Sequence, residues 1–242
     1  MRLGSGRALR AVLFDAGNTL VFLDYDRLAH GIGRALDIPL TGDRLSAHAT
    51  EAAHAMEHAR TDQERAAAYL EALFLGAGVP PERLGEVRQA LMQMHRELHL
   101  WCAVPERTSE ALGRLKAAGL RLAVVSNSEG KVAQALEAAG LRDYFDVVVD
   151  SGLIGIEKPD PRIFEAALDQ LGVAPGEALY VGDLYDVDIV GARAAGIEAV
   201  LISDSTAPGR DCRSVASIHD LADLLLSGDT RMGTRSIPTG TS

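Results

Sequence analysis

Apolar positions fall along this chain in two rhythms. Short unbroken runs, Ala11 to Phe14, Leu122 to Val125 and Ala178 to Val181, read as strands buried on both faces. From Pro105 onward such runs alternate with helical periodicity. The order is helix Glu106 to Ala118, strand Arg121 to Val125, helix Gly130 to Ala139, strand Asp146 to Asp150 and helix Pro161 to Leu171. Strand Ala178 to Val181, helix Val187 to Ala195 and strand Glu198 to Ile202 follow. Gly119, Gly140, Gly172 and Gly196 each stand just past a helical run, where a C-terminal cap needs positive φ. Repeated βαβ patterning of this kind predicts an α/β fold on a parallel sheet.

Residues 22 to 103 break the alternation. They read as helices with no convincing strand, interrupted near Pro39 to Thr41 and Gly76 to Pro81. The expected organisation is therefore a discontinuous α/β core, 1–21 and 104–227, a helical insert, 22–103, and a flexible tail, 228–242, rich in Gly, Ser and Thr. Both ends of the insert emerge beside the end of the first strand. Gly31-Ile32-Gly33 lacks the third glycine and the preceding strand of a dinucleotide fingerprint.

Composition narrows the function classes. With 242 residues and 47% hydrophobic content the chain can bury a sizeable core. A formal net charge of −10 argues against nucleic-acid binding, which needs clustered Lys and Arg. The only cysteines, Cys102 and Cys212, cannot build a disulfide framework, and no apolar run is long enough to span a bilayer. The expectation is a cytoplasmic protein, monomeric or homodimeric, that acts on a small ligand and not on a membrane.

The chemistry-bearing residues sit at the ends of the strand runs. Asp15 closes the first, and in open α/β sheets ligands bind beyond the carboxyl ends of strands, so it is a candidate nucleophile. Ser126-Asn127 closes the second run, Lys158-Pro159-Asp160-Pro161 follows a loop, and Gly182-Asp183 with Asp188 closes the third. Together these supply a nucleophile, a hydroxyl, a cation and two further carboxylates.

In this order and spacing the chain resembles the haloacid dehalogenase-like superfamily, in particular its first subfamily with a small helical cap. The resemblance covers nearly all of residues 8 to 227. It implies a doubly wound, Rossmann-like α/β core with an inserted all-helical cap domain that closes over substrate. It further implies a Mg²⁺-dependent phosphatase-like hydrolase of a small phosphorylated metabolite. Asp15 would attack phosphorus, Ser126 and Lys158 would act with it, and Thr19, Ser126, Asn127 and Lys158 would bind the phosphoryl group, Thr19 also orienting the nucleophile. Asp15, Asp183 and the main-chain carbonyl of Gly17 would hold Mg²⁺. Asp188 would hold a metal-bound water or orient Lys158.

One position departs from the family pattern. Its phosphatases usually carry a second Asp two residues after the nucleophile, as general acid/base, where this chain has Gly17. The missing proton transfer is worth roughly 10²- to 10⁴-fold in rate. Asp24 and Asp26, in the outgoing linker, are possible surrogates. The same gap opens alternatives. A phosphonoacetaldehyde hydrolase needs a cap lysine, but Lys116, Lys131 and Lys158 all lie outside the insert. A metal-free 2-haloacid dehalogenase would use Asp15, Ser126, Asn127, Lys158 and Asp188, with Asp183 as an unexplained like charge. A catalytically weak ligand- or protein-binding relative is the third. Glu51, His54 and His58, and likewise His95 and His99, have metal-compatible helical spacing but read as solvated faces of amphipathic helices.

Overall fold

The computed structural model describes residues 6–55, 62–203 and 211–227. His58 and the expected flexible tail lie outside these. The run Ala11–Phe14 forms β1, each of its four residues fully buried. After it come β2 (Phe22–Leu23), α1 (Tyr25–Leu36), α2 (Gly42–Ser46), α3 (Ala49–His54), α4 (Asp62–Gly76), α5 (Leu84–Glu97) and β3 (Trp101–Ala103). The chain continues with α6 (Thr108–Ala117), β4 (Arg121–Ser126), α7 (Val132–Ala138), β5 (Val147–Asp150), α8 (Ser151–Ile154), α9 (Pro161–Leu171) and β6 (Ala178–Gly182). A π-helical turn, Tyr185–Ile189, leads into α10 (Val190–Ala194), β7 (Glu198–Ile202), β8 (Arg213–Val215) and α11 (Ile218–Leu226).

The described residues form two compact units, one drawn from those up to 20, 104–133 and those from 140 on, the other from those of 21–103 with 134–139. The first contains a six-stranded sheet in the order β5-β4-β1-β6-β7-β8, every neighbouring pair parallel. The chain leaves β1 toward β4 and β5 on one side and returns to β6 and β7 on the other. The carboxyl end of β1 is therefore the topological switch point, where such sheets bind ligands. One face of the sheet packs Leu13, Ala123, Val125 and Tyr180 against Ile163, Phe164 and Leu168 of α9. Helix α9 follows its sequence signals closely: the Asp160 side chain caps the Arg162 N–H, Pro161 occupies the first turn, and Gly172 ends the helix at φ 61.

The second unit buries Leu28, Ile32, Leu45, Leu73, Phe74, Val87 and Leu91 between its helices. It is not all-helical as expected, because β2 and β3 pair antiparallel with an irregular register. Strands of two and three residues are too short to leave a period in the sequence. Arg27 fixes this end of the unit by donating to the carbonyls of Met94, Leu98 and His99 at 2.8, 2.9 and 3.0 Å. No helix among the described residues is long and apolar enough to cross a membrane.

A buried carboxylate shapes the loop after β4. Asp150, 3% exposed at the end of β5, accepts from the N–H groups of Gly130 and Gly152, both at 2.9 Å, and Val132 at 3.0 Å. Asp150→Ala would leave these three donors without their acceptor, and we expect a loss of about 2–4 kcal/mol in urea denaturation. A loss below about 1 kcal/mol would show that water or neighbouring groups replace the carboxylate without penalty.

Candidate active site

Asp15 stands one residue past β1 and extends its ladder, its N–H donating to the Val181 carbonyl at 2.8 Å. The chain then turns sharply: Asn18 adopts φ 52 and the Leu20 N–H returns to the Ala16 carbonyl at 2.9 Å. Gly17, in this turn, offers only main-chain groups. Thr19 is 2% exposed and its Oγ1 has no hydrogen-bond partner among the described residues, so the contact with Asp15 that the sequence suggested is not among those it makes.

Lys158 enters from the loop before α9. Its Nζ donates to Asp15 Oδ1 at 2.5 Å, to Asp188 Oδ1 at 2.8 Å and to the Tyr180 hydroxyl at 3.1 Å. Its main chain is held by Asn127, whose Oδ1 accepts from the Lys158 N–H at 2.8 Å and whose Nδ2 donates to the Lys158 carbonyl at 3.1 Å. Both ends of the Asn127 amide therefore serve the lysine, which leaves its main chain as the part that can meet an anion. Ser126 ends β4, 5% exposed, with no hydroxyl partner among the described residues.

Asp188 reaches the site because the chain after β6 forms a π-helical turn where a regular helix from Val187 was expected. Such single turns re-aim side chains and recur at functional sites. Gly182 makes the room: a Cβ there would come within 2.4 Å of the Asp188 Cγ. Asp188 is 1% exposed, and its other oxygen accepts from the Leu184 N–H at 2.9 Å. Its acceptor positions are thus largely filled, which favours orienting Lys158 over holding a metal-bound water.

Ligand atoms of Asp15, Asp183 and Asp188 all lie within 4.8 Å of one another. Asp183 makes no ion pair among the described residues. Burial, then Asp15 and Asp188, push its carboxyl well above the ordinary range. Burial likewise raises Asp15, to about 6, although Lys158 opposes the shift. Burial alone would depress the Lys158 ammonium, but Asp15 and Asp188 hold it well above its ordinary value. The cluster therefore sets three carboxylates against one ammonium.

Other singled-out residues sit elsewhere. Asp24 caps α1 through the Arg27 N–H at 2.9 Å, and Asp26 lies in the first turn of the same helix. His54 is the last residue of α3, and the His95 and His99 rings meet edge to face at 4.6 Å between centroids. None of these belongs to the acidic group, the one such cluster among the described residues. Sequence reasoning missed Tyr180, because a tyrosine inside an apolar strand looks like core until its hydroxyl is traced to partners.

Two outcomes follow for the metal-free protein. Asp15 ionises near 6 when folded and near 3.8 when unfolded, so the unfolded chain releases its proton first and stability falls as pH rises between those values, by up to about 3 kcal/mol. Urea denaturation across that window should record the fall, and Asp15→Asn should reduce it; an unchanged slope in the variant would refute the assignment. Asp183→Asn removes the carboxyl with no ion-pair partner among the described residues, and the repulsion it relieves is the part of that group ionised at the working pH. It should raise the melting temperature at pH 7 by about 2–4 °C per kcal/mol of repulsion relieved, whereas a drop would mean that Asp183 is paired.

Comparison with known proteins agrees with this fold. The family model of haloacid dehalogenase-like hydrolases matches residues 9–196. Over 133 residues the chain is 40% identical to the phosphoserine phosphatase of Thermus thermophilus, a match covering 54% of this chain and 52% of that protein. The chain spans about half the length of the curated relatives it matches. Among solved structures, the HAD-hydrolase YfnB of Bacillus subtilis, bound to magnesium, shares the fold at a TM-score of 0.68 and 18% identity, with 91% of this chain and 100% of that one covered. A dehalogenase with an intermediate complex has a TM-score of 0.62 and 26% identity, with 90% and 97% covered. With a carboxylate at the switch point, a lysine on it and a family match across most of its length, this chain belongs to the haloacid dehalogenase-like hydrolase family.

Proposed function

We propose that the chain is a Mg²⁺-dependent phosphatase that hydrolyses a small phosphorylated metabolite through Asp15, in a cytoplasmic setting. The observation that carries this reading is the charge balance. Three carboxylates with ligand atoms within 4.8 Å face a single buried ammonium, leaving a formal excess of two negative charges. A phosphate dianion would add to that excess. A divalent cation would offset it, and clustered oxygen donors suit Mg²⁺. Asp15, Asp183 and the Gly17 carbonyl would hold the ion. When bound, it would neutralise charge on the phosphoryl oxygens. The relative named a phosphoserine phosphatase supports the phosphomonoester class.

In this reading a carboxylate oxygen of Asp15 bonds to phosphorus while the ester P–O bond breaks, giving an aspartyl-phosphate and an alkoxide or aryloxide. Lys158 keeps Asp15 ionised and offsets the charge gathering at phosphorus, and Ser126 donates to a phosphoryl oxygen. Asn127 and Asp188 fix the lysine, at its main chain and its ammonium respectively. Gly17 carries no acid, so the leaving oxygen takes its proton from water. A second water then attacks phosphorus, releasing phosphate and restoring Asp15. The helical unit is assigned as the cap that selects the substrate.

A metal-free dehalogenase has support in the 26% identical dehalogenase structure. It needs Asp188 to activate water. Here that carboxylate already accepts from Lys158 and the Leu184 N–H, with the Tyr180 hydroxyl 3.0 Å away, and Asp183 would add uncompensated charge. The phosphatase reading accounts for Asp183 and the alternative does not.

Phosphate release from p-nitrophenyl phosphate and from alkyl phosphates, with and without Mg²⁺, separates the readings. Turnover should require Mg²⁺ and Asp15, favour the aryl ester, and vanish in Asp15→Asn. Gly17→Asp should speed alkyl esters by roughly 10²- to 10⁴-fold relative to the native chain. Absence of turnover in both forms, or halide release from 2-haloacids without metal, would overturn the assignment.

A further inference from the structure

The hydroxyl of Tyr180 is a buried polar group that the reaction outlined above does not use. It projects from the middle of β6, fully buried, with its ring edge-to-face on Phe164 at 4.9 Å between centroids. The hydroxyl accepts from Lys158 Nζ at 3.1 Å and lies 3.0 Å from Asp188 Oδ1 and 3.2 Å from the Val125 carbonyl. A phenol has one proton, so while it accepts from the lysine it donates to one of these two. Tyr180 thereby sets an acceptor for the ammonium within reach of both Asp188 and the carbonyl one residue before Ser126 on β4, across the central strand β1.

An ammonium has three donors in fixed tetrahedral directions. With Asp15 and Asp188 alone, the third N–H of Lys158 would be buried without an acceptor, and the head group could rotate to find one. We infer that Tyr180 is a positioning residue whose phenol oxygen is the third acceptor of Lys158 and fixes the direction in which the cation meets Asp15. The role in turnover rests on the reading of Asp15 and Lys158 as the reacting pair; the geometry of the contact does not.

The composition of the chain makes this testable directly. Lys116, Lys131 and Lys158 are its only lysines, so ¹⁵N-lysine labelling gives a spectrum of three side-chain signals. The Lys116 and Lys131 side chains are 34% and 44% exposed, against 3% for Lys158. In the native protein the Lys158 ammonium should exchange its protons slowly enough to be seen. Tyr180→Phe keeps the ring and removes the acceptor. It should shift the Lys158 signal, speed its exchange at least tenfold and leave the other two unchanged. In Mg²⁺-dependent assays the same variant should lower kcat by about 10- to 100-fold, the range of one hydrogen bond to a charged group, with half-saturation by Mg²⁺ within about twofold.

An unchanged Lys158 signal in Tyr180→Phe, or no protected ammonium in the native protein, overturns the inference whether or not the protein turns over phosphate. A shifted signal with unaltered kcat also overturns it, since the contact would then be structural only. Should the variant fail to fold, 3-fluorotyrosine at the five tyrosines weakens the same acceptor in the native sequence. A Lys158 signal unmoved by that label counts against the inference equally. Complete absence of native phosphatase activity, with the spectral changes intact, sinks the functional reading while the contact stands.

Discussion

A charged amine held away from water is the constraint around which this site is organised. Taking an ammonium out of water costs several kcal/mol in real proteins, and the cost is met only when opposite charge and hydrogen bonds are well placed. Lys158, 3% exposed at its side chain, has both, in Asp15, Asp188 and Tyr180. Each partner comes from a different stretch of chain: the turn after β1, the π-helical turn and strand β6. The charge can be buried only if all of these converge, so formation of the lysine site and closure of the central sheet are one event energetically.

The acids have the complementary problem. One ammonium cannot balance three carboxylates, and the imbalance appears as the raised proton affinity of Asp15 and Asp183. Groups arranged this way bind a cation or a proton in preference to standing charged side by side. That preference is a property of the folded arrangement alone, and it is the physical content behind the proposal of a divalent ion here.

Much of this was legible in the sequence because the strand runs are unbroken and the chemical residues stand at their ends. Ala11–Phe14 and Glu198–Ile202 fall where their apolar runs placed them, and Pro161–Leu171 is bounded by its own capping residues. The misses in secondary structure share a cause. β2, β3 and β8 are two or three residues long and make no period. The helix read from Val187 begins instead as a wider turn, a shape selected by where the Asp188 carboxylate must go and therefore invisible to helical periodicity. Tyr180 escaped for the opposite reason, since its ring obeys the strand pattern and only its hydroxyl departs from it. Asn127 reads as a ligand-binding polar residue, and its side chain also serves as a clamp on the backbone of Lys158.

That clamp has a consequence for the work done in each reaction cycle. The side chain of Asn127 imitates a strand neighbour, giving and accepting one hydrogen bond with the Lys158 peptide, while the far end of the same lysine is tied by three acceptors. A cation restrained at both root and tip would not swing to follow charge migrating from nucleophile to leaving group in the proposed reaction. Its electric field at Asp15 is set when the chain folds, so in the proposed reaction little dipole rearrangement would accompany the chemical step and the entropy of aligning the lysine would be lost once per molecule instead of once per turnover.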